Sequence, residues 1–316
     1  MIDTLRLITQ NFMFVLLTYG GRINLKLGNS LPCFSCPYVH GCAGSCFLMA
    51  LQGHGPWGFG YFAELLSYQG VQLLLCFALF CVLTVLLSKM WCGWICPFGT
   101  LQDWLSKARK KLGIREIEFS WVIRDRLKPV KYVLLALLVV IPLLVAYAGL
   151  HNDFALPFCQ ICPGKPIMPL FVGQIRNFEL DFTNMITLVF SFLSITIAAI
   201  SIVGCFLKDR FFCIFCPMLP LIQLFKKISF IRLEKTLHSC SGCGNCQRMC
   251  PMDIREVSLE KTEPYVMTED CLLCLRCVEA CPEDNTLTAE FFNWILFSSS
   301  KKYISKNYPK ETQGVK

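Results

Sequence analysis

Histidine is nearly missing from this chain of 316 residues: there are four, His40, His54, His151 and His238, and none falls in a long apolar run. A haem of the membrane-cytochrome kind needs axial histidines inside its spans, so no haem is expected. His40, His54 and His151 read as ordinary loop residues, or as residues facing a quinone or a partner. Glycine-rich phosphate loops are missing too, and without a Walker or Rossmann signature no nucleotide chemistry is expected. Charge is scarce. Asp, Glu, Lys and Arg make up 16% of the residues against 54% hydrophobic, and a mean hydropathy of +0.51 excludes an ordinary soluble domain. Such a balance describes a membrane protein carrying a soluble module. The net charge of +8 is gathered in a few loops, where topology and lipid contact account for it better than nucleic acid would.

What is abundant is cysteine, with 21 residues. Disulfide frameworks serve small secreted domains that lack a core, so the expected use here is metal clusters kept reduced, in an anaerobic or microaerobic cell. Cys240, Cys243, Cys246 and Cys250 are followed by Pro251, and Cys271, Cys274, Cys277 and Cys281 by Pro282. This doubled C-x2-C-x2-C-x3-C-P run is the spacing of two-cluster bacterial ferredoxins, in which the fourth cysteine of each run ligates the other cluster. One 4Fe-4S centre is therefore expected on Cys240, Cys243, Cys246 and Cys281, and a second on Cys271, Cys274, Cys277 and Cys250. Zinc also binds paired C-x2-C units, but it accounts for four cysteines and not for a repeated triplet with a displaced, proline-followed partner. The stretch 238–288 closely resembles the two-4Fe-4S ferredoxin domain.

Residues 71–88, 131–150 and 185–207 are apolar runs of about 18 to 23 residues, enough to cross a hydrocarbon core of about 30 Å. Residues 5–20 are shorter and carry Thr9, Gln10 and Asn11. With no small-residue cleavage site after it, this segment reads as a fourth, retained helix. Ten Lys or Arg lie from 89 to 131, and Lys208, Arg210, Lys226, Lys227, Arg232 and Lys235 follow the last span, whereas 21–70 and 149–184 hold only Arg22, Lys26, Lys165 and Arg176. The positive-inside rule puts the basic loops, and with them the ferredoxin module, in the cytoplasm. Residues 101–112 read as a helix lying on the inner membrane surface, and Phe291 to Phe297 as an interfacial helix or as a stripe packed on the ferredoxin fold.

Further cysteines recur where spans meet loops. Cys92 and Cys96, followed by Pro97, come after the second span, and Cys213 and Cys216, followed by Pro217, after the fourth. Together they supply the four thiolates of one cluster at the inner membrane edge. Cys42 and Cys46, running on into FLMALQ, echo Cys92 and Cys96 with PFGTLQ; Cys159 and Cys162, followed by Pro163, echo Cys213 to Pro217. The offsets suggest an internal duplication and a further cluster on Cys42, Cys46, Cys159 and Cys162 at the outer edge. Cys33 and Cys36 compete for that site or pair as a disulfide. Cys76, Cys81 and Cys205, within or beside spans, read as buried small hydrophobes.

CGWICPFGTLQ, a second C-P pair and two ferredoxin motifs after a set of spans resemble, over residues 70–288, the membrane polyferredoxins of the NapH and NosR type. The second pair is C-x2-C-P here, where that family usually has C-x3-C-P. The resemblance implies electron transfer in anaerobic respiration, with quinol dehydrogenation in some members. The expected architecture is an α-helical membrane protein of about four transmembrane helices in two pseudo-repeats (residues 1–235). To it are added a small α+β two-4Fe-4S ferredoxin-like domain (236–288) and an amphipathic basic tail (289–316). The expected function is a relay of single electrons between a cytoplasmic ferredoxin module and a membrane or extracytoplasmic partner. A quinol dehydrogenase subunit and a non-catalytic redox sensor or assembly protein are the alternatives. Lipid, redox proteins and quinol are the partners considered, and nucleic acid is not expected.

Overall fold

The computed structural model describes residues 2–53, 68–117, 121–148 and 154–301, so His54, His151 and the chain from 302 onward lie outside the described residues. Three helices among them are long and apolar enough to cross a membrane, within Gly70–Leu87, Val122–Ala148 and Met185–Leu207. In chain order the helices of this part are α1 (Ile2–Tyr19), α2 (Phe47–Gly53), α3 (Tyr68–Leu87), α4 (Pro97–Lys111), α5 (Trp121–Leu127) and α6 (Val130–Ala148). They continue with α7 (Pro157–Ile161), α8 (Gly164–Ile167), α9 (Met185–Leu207) and α10 (Met218–Gln223). The long helices turn apolar side chains outward: Leu75, Phe77 and Val82 on α3, Val133 and Leu137 on α6, Phe192 and Ile200 on α9 are all exposed. The inward stripe of α9 is Ser191, Ser194, Ala198, Ser201 and Cys205. Small residues at that spacing let neighbouring backbone come close in an apolar medium, and α7 and α8 pack there.

α1 is the segment whose hydropathy is marginal, and its packing gives the reason. Ile2, Arg6, Gln10, Phe14 and Leu17 are buried, while Leu5, Ile8, Phe12 and Val15 face outward. The polar residues that weaken its apolar signal point inward: Gln10 Nε2 donates to Gly93 O at 2.9 Å and to Asp103 at 2.7 Å, and Asn11 accepts from Trp104 Nε1 at 3.0 Å. α4 does not lie on the surface as its charge pattern predicts. It is wedged between α1 and α9 with Gln102, Asp103, Ser106 and Arg109 buried, and Trp104 packs on Phe14.

Several basic residues assigned from sequence to lipid contact are likewise interior. Arg210 binds Asp103 through Nε at 3.0 Å and Nη2 at 2.6 Å, and Arg109 binds Asp209 at 2.6 Å. Arg276 reaches both carboxylates, at 3.5 and 3.2 Å. Lys131 pairs with Asp270, and Lys89 Nζ donates to Thr268 O at 2.9 Å. The first two pairs tie α4 to the segment after α9, and the contacts of Arg276, Lys131 and Lys89 join the helices to the ferredoxin module.

That module holds an antiparallel sheet in the order β1 (Ile231–Lys235), β2 (Leu287–Phe291) and β3 (Trp294–Ser298). Strands from either side of the cysteine runs pair with Ile231 opposite Phe291 and Lys235 opposite Leu287. Of the two readings open for 291–297, the interfacial helix is not formed. Phe292 and Asn293, both with positive φ, make a two-residue turn of the kind that suits a hairpin's twist. Between β1 and β2 lie three short α-helices, α11 (Asn245–Arg248), α12 (Glu256–Leu259) and α13 (Arg276–Ala280).

Candidate iron-sulfur sites

In the ferredoxin module each cysteine triplet bends round a small cavity. Cys240, Cys243, Cys246 and Cys281 line one, with Gly242 and Gly244. Cys250, Cys271, Cys274 and Cys277 line the next, with Cys246 at the shared wall. The fourth cysteine of each run thus reaches the other run's cavity. The two loops share a backbone: Gly242 and Gly244 have φ of +70° and +71°, and Leu273 and Leu275, at the same offsets, have 48° and 59°. A left-handed leucine costs roughly 1–2 kcal/mol, which burying its side chain, worth about 1.5–3 kcal/mol, offsets. Leu273 and Leu275 are indeed buried. The first loop is open to solvent, with Cys243 exposed. The second is pressed against the helices.

What presses on it is the turn that carries Cys92 and Cys96. Trp91–Ile95 is a π-helical turn, a wide turn of the kind found at functional sites. Trp94 Nε1 donates to Leu273 O at 3.0 Å. A Cβ on Gly93 would stand 2.5 Å from Leu272 O and 3.1 Å from the Cys274 Cα, so only glycine allows this approach. Cys92, Cys96, Cys213 and Cys216 lie together, each opposing ionisation of its neighbours. Arg210 donates to Cys92 O at 2.9 Å from the side of the module.

In the second membrane set it is the competitor Cys36, and not Cys42, that neighbours the other three thiols. Cys36, Cys46, Cys159 and Cys162 come together, whereas Cys42 is half-buried and borders the group at Cys36. Cys33 and Cys36 do not pair; Cys33 stands beside Cys92 and Cys96, where it also meets Cys46. This set lies level with the interior of α3. Phe47, next to Cys46, stacks on Phe80 at 4.4 Å, seven residues or about 10 Å from the end of α3 at Leu87. The loop before α2 folds back between the helices, its backbone satisfied by bonds such as Leu31 N to Ser45 O at 3.1 Å and Phe47 N to Leu31 O at 3.0 Å. Irregular backbone survives at membrane depth only when satisfied in this way. Phe34 is the layer between the two sets, 5.1 to 5.9 Å from the rings of Phe98, Phe158 and Phe212. Periodicity could not reveal a re-entrant loop, and the cysteine spacings that enclose Phe34 and Trp94 assign these two rings no role.

These residues fit 4Fe-4S clusters. Burial pushes the thiols of Cys246, Cys271 and Cys213 up to about 11, and those of Cys250 and Cys159 to about 12, a cost that bonding to iron would offset. Among the described residues no three Cys, His, Asp or Glu converge closely enough for a single ion, as zinc with bonds of about 2.3 Å to sulfur requires. Cys205, at the end of α9, donates to Gln102 Oε1 at 3.3 Å and borders Cys213 from outside the C-P pairs. His40 and His238 are exposed. Beside Cys159 and Cys162 a cavity of about 520 Å³ opens between Tyr38, Gln160, Lys165, Arg176, Phe182 and Ser194.

The chain matches the 4Fe-4S binding domain family over residues 69–115 and the 4Fe-4S dicluster domain family over 232–282. YccM of Escherichia coli is 28% identical over 71% of this chain and 57% of its own length. The uncharacterized protein MJ0750 of Methanocaldococcus jannaschii is 30% identical over 64% of this chain and 73% of its own. The ferredoxin-type protein NapH of Haemophilus influenzae is 26% identical over 63% and 61%. The match thus spans little more than half of YccM. No solved structure matches. A dicluster module seated on apolar helices, with likeness that runs through both, makes this chain a member of the membrane polyferredoxins of the NapH and NosR type.

Proposed function

We propose that the chain is a membrane-bound iron-sulfur relay, passing single electrons between a soluble protein at the ferredoxin module and a partner in or beyond the membrane. The observation that supports it best is the packing of the Cys92–Cys96 turn on the 271–274 loop, with Gly93 against Leu272 O. The clusters would be held by Cys240, Cys243, Cys246 and Cys281; by Cys271, Cys274, Cys277 and Cys250; by Cys92, Cys96, Cys213 and Cys216; and by Cys36, Cys46, Cys159 and Cys162. When bound, such clusters take up and release one electron at a time. The protein's own part is to bury the inner sites, to hold them close, and to set their charge environment. The exposed Cys243 loop suits exchange with a soluble partner, and Phe34 keeps the two membrane sets apart by one ring.

In the same reading α1 is a fourth span, and the two halves of the membrane part are pseudo-repeats. The module lies in the cytoplasm, on the side where Lys110, Lys111, Arg115 and Arg126 remain exposed. Outward transfer gains about 2.3 kcal/mol per 100 mV of inside-negative potential. Iron counting on anaerobically purified protein tests the relay: about sixteen irons per chain are expected, and about eight would leave only the dicluster module and end the proposal. A second reading, oxidation of a quinol, is favoured by the cavity beside Cys159 and Cys162, with Tyr38 and Lys165 on its wall. Reduction of the clusters by quinol in proteoliposomes separates it from a relay between proteins.

A further inference from the structure

The glutamines that end the FLMALQ and PFGTLQ runs occupy matching positions beside the two membrane thiol sets. Gln52 follows Cys46 by six residues, and Gln102 follows Cys96 by six. Both are 1% exposed. Gln52 Nε2 donates to Leu48 O at 2.9 Å and to Cys159 Sγ at 3.4 Å, and its Oε1 accepts from Phe158 N at 3.0 Å. Gln102 Nε2 donates to Phe98 O at 3.5 Å and to Cys213 Sγ at 3.6 Å, and its Oε1 accepts from Phe212 N at 3.1 Å. Each amide therefore spends one N–H on the carbonyl four residues back and the other on a sulfur from the opposite half. Its oxygen meanwhile grips the backbone just before that cysteine.

This pattern fixes which way each amide points. Turning it over would set Oε1 against a carbonyl oxygen and the NH2 group against a backbone N–H, two repulsive contacts in place of two bonds. A buried amide so locked is costly to leave unsatisfied, and its remaining donor aims at sulfur. We infer that Gln52 and Gln102 are positioning residues that donate an N–H to one ligand sulfur of each membrane cluster and hold its reduction potential up. The inference rests on the ligand sets proposed above. Hydrogen bonds to cluster sulfurs favour the reduced, more negative state; losing one lowers the potential of that cluster and leaves the others unmoved.

The test is a redox titration of the anaerobic full-length chain by EPR, with iron content measured on the same samples, for Gln52→Met and Gln102→Met. Each is expected to keep its iron and to shift one signal to lower potential, a different signal in each variant. Full iron with unmoved potentials in both variants overturns the inference and leaves the relay standing, whereas about eight irons in the unaltered chain removes the relay itself. Where a Met variant fails to take up iron, the unaltered chain labelled with nitrogen-15 in its glutamine side chains carries the test. Pulsed EPR of the reduced protein should then show nitrogen coupling to the membrane clusters, and its absence overturns the inference.

Discussion

Asp103 shows how much rests on single side chains. It is almost wholly buried, and burial alone would push its carboxyl up. Arg210, Arg276 and Arg6 outweigh that and hold it below the usual carboxylate range. Replacing Asp103 with Asn leaves Arg210 buried beside a neutral partner, and breaking such a pair costs about 3–5 kcal/mol; thermal unfolding in detergent should record the loss. Asp209 is also held low: burial raises it, and Lys110, Arg276 and Arg109 together win. A carboxylate depressed in the folded state contributes stability in full above its unfolded value of about 3.9 and loses it as pH falls through the folded value. Unfolding midpoints should therefore be level near neutrality and fall below about pH 4, with a shallower fall in Asp209→Asn. Trp94, bonded to Leu273 O, offers a fluorescence signal for undocking.

At the scale of elements, the π-helical turn and α1 decide how the helices meet the module. Gly93→Ala puts a methyl group 2.5 Å from Leu272 O. Overpacking of this kind costs about 1–3 kcal/mol, and moving the turn outward widens the gap that an electron must tunnel. Reduction of the membrane clusters by a soluble donor should slow several-fold while the ferredoxin signals stay as they were; an unchanged rate would show that this contact is not the route. α1 is tested by Gln10→Leu, which strips a donor from Gly93 O and Asp103. Both acceptors keep Arg210 as a donor, so the cost is that of the lost bonds alone, about 0.5–1.5 kcal/mol each, readable as a lower unfolding midpoint even though the helix becomes more apolar.

Over the whole molecule, iron content tests membership of the thiol sets and labelling tests sidedness. Cys36→Ser should remove about four irons per chain, the content of one cluster, and Cys42→Ser should not; the reverse result would restore the set read from the duplication. For sidedness, cysteine labels introduced at Asn24, beyond the end of α1, and at Arg126, in α5, should react from opposite faces of sealed vesicles. α1 runs between them from the module, where Asp3 N bonds Glu279 at 2.9 Å, to the far side, where Tyr19 meets Phe171 O. Reaction from one face would remove α1 as a span.

Spacing alone disclosed the dicluster module, because the cysteines that line each cavity come from one short run and its proline-marked neighbour. Apolar length likewise disclosed three helices, since a bilayer imposes a minimum on any span. Matching C-P steps point to Cys92, Cys96, Cys213 and Cys216 as one group, and the fold brings their thiols close. Depth and partnership belonged to the tertiary structure. Cys36 rather than Cys42 meets Cys159 because the loop before α2 folds back between the helices, and a hydropathy pattern cannot distinguish a loop that returns inward from one that stays at the surface. Arg109, Arg210 and Lys131 look like lipid-facing charges in one dimension. They are interior ties, because a buried cation is tolerated only where distant carboxylates converge on it, and that convergence exists only once the chain has folded.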